Sequence, residues 1–287
     1  MKLFKKVGIV GTGLIGGSIA LAIRKKRLAG EVVGISRRRK SIRDAKSRGA
    51  IDRGSQDLKI IRGCDAVILA TPVETIIKMA PAISKLVSRD CLVTDVGSTK
   101  VEIVKVFSKI FPNFIGSHPL AGSEKTGILQ AHVDLFKNSL CILTPTEATS
   151  TAALKITKVL WQRLGAQTVL LTPKSHDRIL SFVSHLPHVA AFALMGVLPK
   201  DYLRFASSGL KDMTRIARSD GELWVQIFLS NPKNLVKAIE SLDAQLSQIK
   251  GALRRKDKKL LKGILERART KRRILEENSK SQIPNSK

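Results

Sequence analysis

The chain is short of acid. Its 287 residues hold 23 Asp and Glu against 51 Lys and Arg, a formal net charge of +28. Such a surface draws anions, whether substrate, cofactor or nucleic acid, although a merely solvated basic surface accounts for the same charge. The surplus sits at the ends: residues 1–40 and 250–287 supply most of it. Aromatic residues are also scarce, at 4%. That argues against the stacking platforms that hold single-stranded nucleic acid, so nucleic acid is not an expected partner. The three cysteines, Cys64, Cys91 and Cys141, have no paired or CxxC spacing. They speak against a disulfide scaffold or zinc site and for a reducing, cytoplasmic setting. The uncharged run from Val7 to Ile23 follows Lys2, Lys5 and Lys6 like a signal peptide, yet it contains glycines at 8, 11, 13, 16 and 17. A strand, a tight turn and a helix start explain it better than an export helix, and it is marginal as a membrane span.

At 43% hydrophobic and 26% charged, the sequence is that of a soluble globular protein long enough for two domains. Short apolar runs alternate with amphipathic stretches as far as residue 171. Strands are expected at 7–10, 32–35, 66–70, 92–95, 114–116, 140–143 and 168–171. Helices should begin near Gly16, Lys40, Glu74, Lys100 and Ser150. This alternation predicts an α/β, Rossmann-like domain over 1–171 with a mostly parallel sheet. Thr172-Pro173 is a helix start, with a capping hydroxyl followed by proline at the first helical position. Beyond it only helical spacing remains, at roughly 173–198, 201–218, 221–229, 232–253 and 256–277. These helices cannot each bury an apolar face alone, so an all-helical domain over 172–287, shared with a second subunit, is expected. The charged segment from Arg254 onward is expected to form a basic tail that frays.

Gly11-Thr12-Gly13-Leu14-Ile15-Gly16 follows the first strand and opens a helix, as in dinucleotide-binding folds. Gly11 serves the turn, Gly13 the approach of a pyrophosphate and Gly16 the helix–strand packing. Leu14, Ile15 and Thr71 complete the candidate cofactor contacts on this edge. An NAD site usually places an acid after the second strand, for the ribose hydroxyls. Here Ser36, Arg37 and Arg38 stand there instead, which suits the 2′-phosphate of NADP. Asp95-Val96-Gly97-Ser98-Thr99-Lys100 ends another strand. Ser98 there can touch the nicotinamide or the reacting hydroxyl, and Ser98 or Thr99 can cap the next helix; the two roles are compatible.

His118, in a glycine- and hydroxyl-rich loop after the following strand, can take a proton from an alcohol as hydride leaves its carbon. His185 and His188 share a helical face around Pro187, which should kink that helix and free a carbonyl. With no third ligand nearby, an anionic substrate or packing suits them better than a metal. Arg215, on a helix, can clamp a carboxylate.

Together GTGLIGGS, DVGSTK, GSHPLAGSEKTG, SHLPH and GLKDMTRIARSDGELW resemble the prephenate/arogenate dehydrogenase family of tyrosine biosynthesis, in the family's order and nearly to residue 250. The resemblance implies an NAD(P)-dependent oxidative decarboxylation. Prephenate would give 4-hydroxyphenylpyruvate and CO2, and arogenate would give tyrosine. It implies that His118 engages the ring hydroxyl beside Ser98, and that Arg215 holds a substrate carboxylate. It further implies His188 near the substrate side chain, His185 in support, and Glu124, Asp212 and Trp224 in a polar network around the pocket. It also implies a homodimer through the helical domain. Two departures stand out: the acid after the second strand is missing, and no room is left for an appended regulatory domain. A 3-hydroxyacid-type dehydrogenase and a non-catalytic NADP-binding sensor are the alternatives. The first would need a proton-handling lysine in the second domain, whereas here a histidine follows the sheet and an arginine lies on the helical segment.

Overall fold

The computed structural model describes residues 2–122 and 126–281, which form two compact units, one within residues 1–232 and one within 233–287. The first begins with β1 (Phe4–Val10), α1 (Leu14–Lys25), β2 (Ala29–Ile35), α2 (Arg39–Ser47) and β3 (Arg53–Ser55). It continues with β4 (Ala66–Leu69), α3 (Val73–Ser84), β5 (Leu92–Asp95), α4 (Val101–Ile110) and β6 (Phe114–Pro119). Then come β7 (Leu140–Thr144), α5 (Thr151–Leu164) and β8 (Gln167–Leu170).

The strands form one sheet in the order β3-β2-β1-β4-β5-β6-β7-β8. Every pairing is parallel except β6 with β7. The order reverses direction between β1 and β4, the switch point at which open α/β sheets bind ligands. Alternate residues of the buried strands feed two cores. One joins Val7, Ile9 and Ile115 to Ile19 and Ile23 of α1 and to Leu160 and Trp161 of α5. The other joins Val10, Val67 and Val93 to Ile76 and Ile83 of α3 and Phe107 of α4. The sheet is thus covered on both faces, as its alternating apolar runs require.

Short strand β3 has no counterpart among the expected elements. Its Arg-Gly-Ser carries no apolar run, and only pairing with β2 makes it a strand. Strand β6 runs past the expected end at Gly116, because β7 pairs with it antiparallel from Gly116↔Thr144 to Pro119↔Cys141. His118 therefore belongs to a strand and not to a loop.

After β8 the chain is helical. Thr172 accepts a hydrogen bond from the Ser175 N–H and Pro173 opens α6 (Pro173–Leu180), as expected. The helix then widens into a π turn, Ser181–His185, before α7 (Leu186–Gly196). That turn lies just ahead of Pro187, which has no N–H to continue the α ladder. In place of one helix over 201–218 there are a 3-10 turn at Lys200–Phe205, α8 (Ser208–Thr214) and a second 3-10 turn at Arg215–Arg218. α9 (Gly221–Ser230) completes this part, capped by Asp220. All of these helices belong to the same compact unit as the sheet. The second unit holds α10 (Pro232–Arg254) and α11 (Lys258–Ser281), close to the helices expected at 232–253 and 256–277, with the second continuing to Ser281.

At the carboxyl edge of β5 lies a fully buried ion pair between Asp95 and Lys100. Asp95 also accepts the Gly97 N–H at 2.8 Å. Gly116 makes room for the lysine: a Cβ there would stand 3.3 Å from Lys100 Cδ and 2.4 Å from Thr144 Oγ1. Burial pushes the Asp95 carboxyl up, and the Lys100 ammonium opposes that shift. Removing one partner strands a charge in the interior, which costs about 3–5 kcal/mol. Lys100→Met should lose stability on that scale in urea denaturation, and an unchanged midpoint would contradict the pairing.

Candidate active site

A cavity of about 780 Å³ opens where β1, β4, β5 and β6 end. That is ample for a dinucleotide end and a small substrate. Its sheet side is lined by Gly13, Leu14, Ile15, Thr71, Ser98 and His118. Its helical side is lined by Ser184, His185, His188, Arg215, Trp224 and Gln226.

The turn after β1 holds Gly11 at φ +99, with its N–H donated to the Ile35 carbonyl at 2.9 Å. A side chain is strained at that φ, and a Cβ there would meet the Ala70 carbonyl at 2.5 Å. Gly16 has no room either, since its Cβ would lie 1.9 Å from the Gly11 carbonyl oxygen. Gly13 is different: nothing lies within 4 Å of a Cβ built on it. The space above it is open to a ligand. Gly13 caps α1 without a side-chain hydrogen bond, and the helix's first turn carries no acid. Its amides are therefore suited to a phosphate. On the same edge, buried Thr12 Oγ1 and Thr71 Oγ1 lack hydrogen-bond partners among the described residues. These features fit a bound dinucleotide.

Ser36, Arg37 and Arg38 follow β2, beside the Gly11 turn, Ser36 half-buried and the arginines exposed. They stand apart from the cavity wall around His118. That is where an adenosine ribose, far from the reacting end, lies in such domains.

His118 is positioned by its neighbour in the strand. Ser117, on the opposite face, is buried and bonded to Thr94 Oγ1 at 2.8 Å and to Trp161 Nε1 at 3.1 Å. With Ser117 held inward, alternation aims His118 the other way. The last β5–β6 partner is Gly116, so His118 extends past the end of β5, where Ser98 lies. Its Nδ1 is 2.9 Å from Nε2 of His176, whose Nδ1 is 2.7 Å from Oδ1 of Asp177. Burial holds the His118 imidazole well below the ordinary histidine range, reinforced by His176, Lys100 and His185. A neutral ring can accept a proton.

Neither Ser98 nor Thr99 caps α4, which removes the capping alternative and leaves Ser98 on the cavity wall. The Lys100 and Val101 N–H groups donate to Asp177 of α6, at 2.7 and 2.9 Å. Thr99 donates to Ser230 at 3.0 Å. The cap comes from a residue 77 positions away, beyond any local pattern.

On the helical side His188 stacks on Trp224, with ring centroids 3.4 Å apart. His188 Nδ1 lies 3.0 Å from the Ser184 carbonyl in the π turn. His185 meets Trp224 edge-on, and among the described residues neither of its ring nitrogens has a partner. Burial brings its pKa down to about 4. The Gln226 carbonyl oxygen is likewise buried without a partner. Arg215 lines the cavity from the 3-10 turn that follows α8, not from within a helix.

Asp212 is exposed and off the cavity wall, a correction to its expected place in the pocket network. Thr214 turns inward from α8, and a residue two positions away points about 200° around the helix. Glu124 lies outside the described residues. Sequence reasoning missed His176, Asp177 and Gln226. The one available signal was a His-Asp pair in the first turns of the helix that leaves the sheet. Among the described residues no group of three or more His, Cys, Asp or Glu could hold a metal.

The fold and site define a dinucleotide-binding α/β oxidoreductase with an ionisable histidine at the reacting end. Two family models match the chain: "Prephenate dehydrogenase, nucleotide-binding domain" over residues 19–170, and "Prephenate dehydrogenase, dimerization domain" over 172–267. The prephenate dehydrogenase of Lactococcus lactis subsp. cremoris is 34% identical over 293 residues, 98% of this chain and 80% of that protein. The solved prephenate dehydrogenase from A. aeolicus, in complex with hydroxyphenyl propionate and NAD+, superposes with a TM-score of 0.88 at 34% identity. It covers 94% of this chain and 98% of that one. Synechocystis arogenate dehydrogenase gives 0.82 at 30%, over 94% of this chain and 99% of its own. The chain belongs to the prephenate dehydrogenase family and is an NAD(P)-dependent oxidoreductase, which sets aside the 3-hydroxyacid and sensor alternatives.

The contrast between two glycines tests the cofactor cradle. Gly13→Val should melt within about 0.5 kcal/mol of the parent, as an open position allows, yet lose cofactor binding by fluorescence titration. Gly16→Val should fail on stability itself. Unimpaired binding by the Gly13 variant would place the cofactor elsewhere.

Proposed function

We propose that this enzyme oxidatively decarboxylates prephenate to 4-hydroxyphenylpyruvate and CO2, with His118 as the base. The observation that carries this reading is His118 itself, a half-buried imidazole held neutral and facing a cavity shared by Ser98, Arg215 and the dinucleotide cradle. A dinucleotide held at the Gly11–Gly16 turn would supply the hydride acceptor for the ring carbon that bears the hydroxyl. His118 takes the hydroxyl proton as that carbon becomes a carbonyl. The bond to the ring carboxylate then breaks, and its electron pair passes through the ring to the carbonyl oxygen. His118 returns the proton there, leaving a phenol, so the histidine ends the cycle neutral. Ser98 shares the hydroxyl end, and Arg215 holds a carboxylate bidentately.

Prephenate is favoured over arogenate by the helical wall. Arogenate carries an ammonium that calls for a carboxylate partner. Among the described lining residues the only acid is Asp220, which is engaged in capping the Leu223 N–H at 2.9 Å. His185, His188 and Gln226 suit a keto acid.

For the cofactor, Ser36, Arg37 and Arg38 support NADP. The apolar faces of the helices after 172 support a homodimer. Phe182, Val183, Val197, Phe205, Met213 and Leu229 are exposed, a patch that an isolated soluble subunit rarely leaves open. The segment Pro173–Gly196 is long and apolar enough to cross a membrane, but it carries His185 and His188 of the cavity wall. Packing against a second copy accounts for its apolar face, in a cytoplasmic enzyme with three buried free thiols.

His118→Asn should cut turnover roughly 10²- to 10⁴-fold, the span of general acid–base contributions, with cofactor affinity unchanged. Undiminished turnover would sink the mechanism. Because the depressed histidine must be neutral to act, kcat/KM should stay level as pH falls through about 6.5, the unperturbed value, and drop only below it. Initial rates with both cofactors should favour NADP. Arg37→Ala/Arg38→Ala should raise the KM for NADP about tenfold, one lost charge-assisted contact's worth, and leave that for NAD in place. A parent enzyme that prefers NAD would refute the assignment.

A further inference from the structure

His118 has two ring nitrogens, and only a bare one can accept a proton from substrate. Which one is bare depends on what its other nitrogen meets. The Nδ1 contact is with His176 Nε2 at 2.9 Å, so one of those two atoms carries the shared hydrogen. The direction is set from the far end. Asp177 receives backbone N–H groups on both carboxylate oxygens, from Lys100 at 2.7 Å and Val101 at 2.9 Å. It therefore meets His176 Nδ1, at 2.7 Å, as an acceptor. His176 is fully buried and Asp177 nearly so, so water does not compete for either.

A neutral imidazole offers one donor and one acceptor. His176 gives its Nδ1–H to Asp177 and is left with a lone pair on Nε2. That lone pair takes the Nδ1–H of His118. The remaining lone pair of His118 is on Nε2.

We propose that His176 and Asp177 are positioning residues that fix the tautomer of His118, leaving Nε2 as the proton acceptor of the active site. This rests on the reading of His118 as the base. Without the dyad the ring is free to carry its proton on Nε2, where it would donate to a substrate hydroxyl and accept nothing. The dyad also serves the protonated state, since His118 keeps its Nδ1–H directed at His176 while Nε2 gains a proton. Nothing need rearrange between the two halves of the cycle.

Three elements hold the dyad rigid. Asp177 is pinned to the first turn of α4, and its own carbonyl accepts the Asn231 side-chain N–H at 2.7 Å at the end of α9. His176 sits in the first turn of α6, its N–H bonded to the Thr172 carbonyl at 2.9 Å. The shape of this relay resembles a base oriented by a third group, extended by one more imidazole.

The test reads the tautomer directly, by nitrogen-15 NMR of histidine-labelled protein without substrate, at a pH where His118 is neutral. In the parent the His118 proton should be on Nδ1. His176→Leu should lose that signature and on the order of 10- to 100-fold in kcat, the usual cost of deleting a histidine's outer partner, with cofactor affinity unchanged. His176→Gln, whose amide oxygen can still accept the Nδ1–H, should restore both the tautomer and most of the turnover. A parent His118 protonated on Nε2 would overturn the proposal, even if the leucine variant fails to fold. So would a leucine variant with full kcat, or a glutamine variant no better than leucine. A His118→Asn enzyme that still turned over would instead overturn the reading of His118 as base, whatever the tautomer.

Discussion

The carboxylate of Asp177, held between two amides at the first turn of α4, ties the helices after residue 172 to the carboxyl edge of the sheet. The interaction satisfies two helix-end donors that no local side chain reaches, and it favours the positive end of that helix dipole. It also sets the height of α6 above the sheet. His176 then meets His118, and the π turn that follows carries His185 to the same cavity. The site is thus assembled by a helix cap supplied from a distant helix of the same chain.

A second constraint acts within the sheet. Because β7 runs antiparallel to β6, the last residues of β6 continue past the end of β5 and still have hydrogen-bond partners. Ser117, locked to Trp161, turns His118 outward. Below it Lys100 and Asp95 form a buried pair whose lysine disfavours a charge on both His118 and His176. In a chain with so large a positive surplus, burial and a cation underneath thus favour a neutral His118. Arg215 lines the far wall of the same cavity.

Much of this was legible in the chain. The Gly11–Gly16 turn carries its own geometry, since glycine alone tolerates Gly11's φ and the contact at Gly16. Strong apolar runs marked seven of the eight strands, and Thr172-Pro173 marked the first helix. His118, Ser98, His185, His188, Arg215 and Trp224, singled out by residue type and motif, line one cavity. What was illegible lacked a local signature. Strand β3 has no apolar run, and Asp212 faces outward because of where Thr214 packs. The cap of α4 lies in another helix altogether.

Sequence by itself determined the order of elements, the glycine turn after β1 and the chemistry on offer, because backbone freedom, helix capping and alternating hydrophobicity are short-range properties. Only the tertiary structure decided that His176 and Asp177 stand behind His118, and that Asp177 and not Ser98 caps α4. Hydrogen bonds between residues about 60 and 77 positions apart cost chain entropy that only the assembled sheet and helices offset. The direction of a proton along such a chain is a property of the fold.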